Sequence, residues 1–316
     1  MTSQHHQHGN AHGNAHGNGN GHRHGHGHGH VPAADFDWDA LAAHLEHEAD
    51  LRAAAVTEAA RWLSDLYDQG LQGPEGTGGV RRVLDVGSGP GVIAGLLAEA
   101  FPAAEVVAVD QSAALLERAR TRSGARLGTQ QADLPAEFDK LGEADLVWSG
   151  NAIHHLGDQQ AALTSLAGVL RPGGLLAVAE RGLPARYLPR DFGLGRPGFQ
   201  SRLDAAHEDG FSTMRAELPG STEEVEDWPA MLERAGLTPS GTRTFLVDRP
   251  APLDRRTREY LRTQLGRLHD QLADSLPPED RSTLEALLDE EAPTGILHRP
   301  DAFYLSAMTV HTARKS

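Results

Sequence analysis

The sequence predicts an α/β fold, a mostly parallel sheet flanked by helices, and three observations carry the prediction. The apolar run Val83-Leu84-Asp85-Val86 breaks into a glycine loop, Gly87-Ser88-Gly89-Pro90-Gly91, that opens a helix. A second apolar run, Val106 to Val109, ends in Asp110. Further strand-like runs then alternate with helical patterns, the order that builds parallel crossover units with ligands at the carboxyl ends of the strands.

Each element has its own reason. Residues 1 to 31 are dominated by Gly, Asn and His and cannot build a core, so a disordered tail is expected. His22, His24, His26, His28 and His30 alternate with Gly or Arg, so the tail is expected to capture nickel, copper or zinc, incidentally to any chemistry elsewhere. Over residues 35–69, Trp38, Leu41, Leu45, Leu51, Trp62, Leu63 and Leu66 form apolar stripes that predict two helices. A Gly-rich linker follows over residues 72–79. Val83, Leu84 and Val86 suit a buried parallel strand, and Gly87, Gly89 and Gly91 allow close backbone approach to a ligand. Pro90 near the first turn and Val92, Ile93, Leu96 and Leu97 at helical spacing start the next helix. Asp110 stands about 20 residues beyond the loop, the place of a ribose-binding acid in doubly wound nucleotide folds.

A dinucleotide fingerprint requires G-x-G-x-x-G/A, and counting from Gly87 its sixth position is Val92. The spacing Asp85-x-Gly87-x-Gly89-x-Gly91 instead resembles the first motif of class I S-adenosylmethionine-dependent methyltransferases. Gln131-Ala132-Asp133-Leu134-Pro135 resembles the adenine-contacting turn of that family. Asp145 to Asn151 resembles its fourth strand, and Leu170-Arg171-Pro172-Gly173-Gly174-Leu175 the turn into its fifth. The resemblance spans residues 80–182 in family order and implies a Rossmann-like fold with S-adenosylmethionine as cofactor. It is nearest to the small-molecule, trans-aconitate and quinone types. In that family, N-terminal helices lie over the cofactor pocket; simple packing against the sheet is the other reading of residues 35–69.

Beyond the fifth strand the chain departs from the compact family core by two insertions, read as helical lids. The first, residues 183–221, carries Tyr187, Phe192 and Phe199 among loop-forming Gly and Pro. The second, residues 250–300, reads as an αα-hairpin, with Leu261, Leu265, Leu268 and Leu272 at helical spacing and a break at Pro277-Pro278. Between them come a helix over Glu223 to Ala235 and a strand over Thr244 to Val247, and Phe303 to Val310 is a final strand. Residues 32–316 are thus one expected domain.

Composition sets bounds. A formal charge of −15 argues against a nucleic-acid partner. An apolar fraction of 39% supports a core, and no apolar stretch is long enough for a membrane span. The N-terminus lacks the apolar core of a signal peptide, so a soluble, cytoplasmic protein is expected, and the resemblance implies that it acts on a small molecule. The absence of cysteine removes disulfides and thiolate metal sites.

The resemblance implies the site. Gly87, Ser88, Gly89 and Gly91 would clear the cofactor's amino-acid arm, with Asp85 as an acidic anchor behind it. Asp110 would take the ribose hydroxyls, Asp133 the adenine amino group, and Leu134 would pack near the base. Gln111 and Ser112 would touch adenine or cap the next helix, and Asn151 would hold the methionine arm. His154 and His155 follow the fourth strand, where methyl and acceptor should meet. One of them is the candidate base, His155 preferred as nearer the following helix; an imidazole suits removal of a phenol, enol or carbon acid proton. Arg181, Arg186, Arg190, Arg196 and Arg202 are expected to be structurally paired or solvated, in preference to a carboxylate-binding rim. Methyl transfer to oxygen is expected ahead of transfer to carbon. The rival class is a binding protein, holding the cofactor without catalysis or metal through the tail.

Overall fold

The computed structural model describes residues 38–70, 79–180, 182–272 and 274–316. The His-rich tail, most of the linker and Arg181 lie outside them. Strands β1 (Arg82–Val86), β2 (Glu105–Asp110), β3 (Gly128–Gln131), β4 (Ala144–Gly150) and β5 (Leu170–Ala179) pair in parallel, with β1 between β2 and β4. The order β3-β2-β1-β4-β5 reverses direction of growth at β1, which leaves a crevice at the carboxyl ends of β1 and β4.

The strands are buried on both faces, and their period of two divides the core. Val83, Ala108, Trp148 and Ala177 face one side with Leu63 and Leu97 of helices α1 (Trp38–Gly70) and α2 (Val92–Ala100). Leu84, Val109, Val147 and Val178 face the other with Leu163 and Leu166 of α4 (Gln159–Val169). Helix α3 (Ala113–Ser123) carries the chain from β2 towards β3. Below the sheet, buried Asp145 accepts from the amides of Arg81 and Arg82 and from Arg171 at 2.8–3.0 Å. Burial works to raise its pKa, but these three donors prevail and hold it below the usual carboxylate range.

The two helices expected over residues 35–69 are one continuous helix, α1, of 33 residues. The stretch between Leu45 and Leu51 lacks an apolar stripe, yet it holds no Gly or Pro to break the backbone. Ion pairs of Glu46 with Arg118, and of Asp50 with Arg122 and Arg256, dock its outer side.

Past β5 the chain turns into β6 (Leu183–Arg186), then a loop, then α5 (Phe199–Glu217), the 19-residue helix of the first insertion. Only Phe199, Gln200 and Leu203 of α5 are buried, so most of its length shows no apolar periodicity. The helix expected over Glu223 to Ala235 begins five residues later, as α6 (Trp228–Arg234), because Asp227 caps it through the Ala230 amide. The short strand expected at Thr244 is the long β7 (Thr238–Arg249). Helices α7 (Arg255–Leu272) and α8 (Pro278–Leu288) form the αα-hairpin, and β8 (Tyr304–Arg314) closes the chain. β8 runs antiparallel, with β5 and β6 successively along one edge and β7 along the other. No helix of the described residues is long and apolar enough to cross a membrane.

Candidate active site

The glycine loop is stitched across the carboxyl ends of β1 and β2. Gly87 and Ser88 both donate their amides to the Val109 carbonyl at 2.9 Å, and the Gly89 amide donates to Asp110 Oδ2 at 2.9 Å. The other oxygen of Asp110 accepts from Ser112 N at 2.8 Å, so its carboxylate is held at the strand end by backbone on both sides. The clearance at Gly87 and Gly91 is taken up by protein: a Cβ there would lie 2.4 Å from that of Ala152 and 2.5 Å from that of Ala119. At Gly89 the nearest group is Leu45 of α1, 3.7 Å from such a Cβ, which puts α1 over the loop.

Three buried polar atoms at this end of β1 and β4 have no hydrogen-bond partner among the described residues: Asp85 Oδ2, Ser88 Oγ and Ser149 Oγ. β1 and β4 lie side by side here, with Asp85 on the face of α1 and α2 and Ser149, in register with Val86, on the other face. Burial, the nearby Asp110 charge and only one opposing backbone bond, from Ala94, push the Asp85 carboxyl up to about 7. Burial likewise raises Asp110 against the pull of the Ser112, Gly89 and Gln111 amides. A buried acid with an orphaned oxygen fits a cationic ligand, because an opposite charge would return it to its ionised form. These groups fit the amino-acid and ribose parts of S-adenosylmethionine.

The remaining expected residues divide. Ser112 caps α3 through Leu115 N, and Gln111 is exposed, its carbonyl accepting from Gln131. Asp133 is exposed beside half-buried Leu134, its amide held by Glu137. Asn151 stands directly after β4 in the left-handed region, φ 51°, with its amide donated to Ala179 on β5.

The group that orders the loop after β4 was not read from the sequence. Glu180, whose side chain is fully buried, accepts from the amides of Ala152 and Ile153 at 2.8 Å each, and its second oxygen meets His154 Nδ1 at 2.7 Å. His154 packs between His155 and Phe211 of α5, at ring distances of 4.1 and 5.5 Å. His155 is exposed. Arg215 of α5 donates to the carbonyls of His154, Leu156 and Gly157, so the first insertion is fastened onto this loop. Of the five arginines considered as a rim, Arg186 pairs with Asp204 and Arg202 with Asp280.

A chamber of about 270 Å³ opens beyond Asn151 and Glu180. Its walls come from α1 (Glu48, Arg52), α5 (Leu203, His207) and α7 (Tyr260, Gln264), closed by β6 and β8. Neither His154 nor His155 lines it; His207 does. No group of three or more His, Asp or Glu among the described residues is placed to hold a metal.

The parallel sheet, the glycine loop and the strand-end acid together form a candidate ligand site at the carboxyl ends of the strands. Residues 83–174 match the methyltransferase domain family. The chain is 40% identical over 119 residues to an uncharacterised methyltransferase of Mycobacterium tuberculosis, covering 37% of this chain and 59% of that one. It is also 40% identical over 129 residues to a trans-aconitate 2-methyltransferase of Paracidovorax citrulli, covering 40% and 49%. The chain thus spans about half to three fifths of the length of these relatives. Among solved structures, an O-methyltransferase family protein from Burkholderia thailandensis aligns over 65% of this chain and 55% of that one, with 17% identity and a TM-score of 0.45.

Proposed function

We propose that this chain transfers a methyl group from S-adenosylmethionine to a small-molecule acceptor, with oxygen favoured over carbon as the acceptor atom. The lock of the Gly89 amide onto the Asp110 carboxylate carries the reading, because it fixes an acid at the strand end above a glycine loop whose Val92 breaks the dinucleotide fingerprint. When bound, S-adenosylmethionine supplies an electrophilic methyl group on a sulfonium that loses its charge as the methyl leaves. Little covalent help is then required, and placement supplies most of the rate.

The chain's residues are assigned accordingly. Asp110 binds the ribose; Asp85 and Ser88 hold the amino-acid arm, with Asn151 at its far side; Asp133 and Leu134 flank the base. His155 and His154 are the candidate bases, though neither lines the chamber: His154 has Nδ1 committed to Glu180, which does border it, and His155 packs on His154. The segments 183–221 and 250–300 act as lids, since α5 and α7 wall the chamber. They are not detachable: Leu261, Leu265 and Leu268 of α7 are part of the core.

Calorimetry tests the reading directly. Binding of S-adenosylmethionine and its demethylated product without binding of NAD is the expected result, and the reverse pattern would overturn it. Asp110→Ala should weaken cofactor binding by about 2–4 kcal/mol, the loss of hydrogen bonds to a charged group. Unchanged affinity would remove Asp110 from the site. The His-rich tail is assigned to nickel, copper or zinc independently of transfer. Deleting residues 1–31 should abolish most nickel uptake and leave cofactor affinity intact; cofactor affinity that falls with the tail and returns with added nickel would make the metal part of the site.

A further inference from the structure

We propose that the chamber beyond Asn151 takes a neutral aromatic ring bearing a hydroxyl, and that the Arg52 guanidinium anchors its oxygen. The proposal deepens the methyl-transfer reading and rests on it. It departs from the acceptor in the name of the trans-aconitate relatives, whose aligned segment covers only 40% of this chain.

Size, walls and charge converge on this class. At about 270 Å³ the space falls just below the roughly 300–1,000 Å³ usual for ligand pockets, which favours a small acceptor. Tyr187, Tyr260 and Tyr304 line it together with Leu203, Leu261 and Met308, surfaces that pack against a flat ring. The polar end is built around Arg52. Its guanidinium donates to Glu48 Oε1 at 2.8 Å and engages the Tyr304 hydroxyl, two partners for five N–H donors. Burial works to lower its pKa, but Glu48 and the hydrogen bond to Tyr304 hold it above the usual value, and a guanidinium stays charged in any case. Tyr260 is itself fixed, stacked on His44 at 5.1 Å and edge-on to Tyr304 at 6.2 Å.

Charge then excludes the alternatives. Glu48 already neutralises Arg52, the one Arg or Lys among the described lining residues, so a polycarboxylate would bury charge with no further cation to pair it. An ammonium would compete for carboxylates that are already engaged, Glu48 with Arg52, Asp204 with Arg186, and Glu180 with two amides and His154. A neutral hydroxyl meets neither penalty and can accept from Arg52 while its ring lies against the tyrosines.

Calorimetry on the full chain saturated with S-adenosylhomocysteine tests this with catechol, trans-aconitate and benzylamine as probes. Catechol should bind at least tenfold more tightly than the other two. Arg52→Gln should weaken catechol about tenfold while S-adenosylhomocysteine affinity stays within twofold. Ala185→Trp, which fills the chamber from β6, should abolish catechol binding with the same retention. Should Arg52→Gln fail to fold, Tyr304→Phe removes only the hydroxyl that steadies Arg52, and it should weaken catechol by severalfold. No binding of catechol, equal or tighter binding of either other probe, or catechol affinity indifferent to these substitutions would overturn the chamber assignment alone. Failure of S-adenosylhomocysteine to bind would instead overturn the methyl-transfer reading, and this proposal with it.

Discussion

Glu180→Ala is expected to destabilise the protein by about 3–5 kcal/mol, because it strands two buried amides and an imidazole at once. The side chain is fully enclosed and is the partner of Ala152 N, Ile153 N and His154 Nδ1 together. Glu180→Gln separates the effects. It keeps one oxygen for the two amides and presents an NH₂ group to His154, which must then accept at Nδ1 and carry its proton on Nε2. A smaller loss, about 1–2 kcal/mol, is expected for that variant, together with an exchange of the His154 tautomer visible in nitrogen NMR. Since Asn151 and Glu180 both border the chamber, the alanine variant should also lose acceptor turnover beyond its loss of folded protein. Urea denaturation at wild-type midpoint for Glu180→Ala would show that the loop after β4 is held by something else.

This pairing also shows where the sequence stops being informative. The glycine loop and its strand-end acid were legible as a unit because they are local: three glycines, the strand before them and the acid at the end of the next strand follow one crossover unit. Glu180 and His154 are 26 residues apart and meet because the parallel register sets Gly150 beside Ala179, so each chain turns off the sheet at the same level. Nothing at Glu180 itself announces that contact. Arg52 was equally silent, one charged residue on an amphipathic helix until α7 and β8 enclose it. His207 was missed with α5, whose buried residues are confined to its first turns. His154 and His155 were found by position, but which ring is fixed, and by what, is a tertiary fact. The arginines were the converse case: Arg186 and Arg202 are spent on Asp204 and Asp280, consistent with the expectation that such side chains are structural.

Asp85 should make the stability of the cofactor-free protein fall as pH rises. Its folded-state pKa, about 7, lies well above the ordinary 3.8. Between those values the unfolded chain has released the proton while the folded chain retains it, so each rise in pH favours unfolding until the folded carboxyl also ionises. At 1.36 kcal/mol per pKa unit the whole shift corresponds to about 4 kcal/mol, of which about 3 kcal/mol falls between pH 5 and 8. Carboxylates held low, such as Asp145, oppose this slope only in more acidic solution, where their own protons bind. Asp85→Asn cannot ionise and should remove the slope, gaining stability over the wild type as pH rises towards 8. The same proton links stability to binding. S-adenosylmethionine carries positive charge, and the site that receives it must ionise Asp85, so its affinity should increase up to about tenfold per pH unit below 7 and level off above. In Asp85→Asn the affinity should be weaker at pH 8 and nearly independent of pH. Denaturation midpoints and calorimetric affinities at pH 5, 6, 7 and 8 measure both effects. Parallel pH profiles for wild type and Asp85→Asn would mean that Asp85 is ionised throughout, and that the orphaned oxygen at the end of β1 finds its partner in the protein itself.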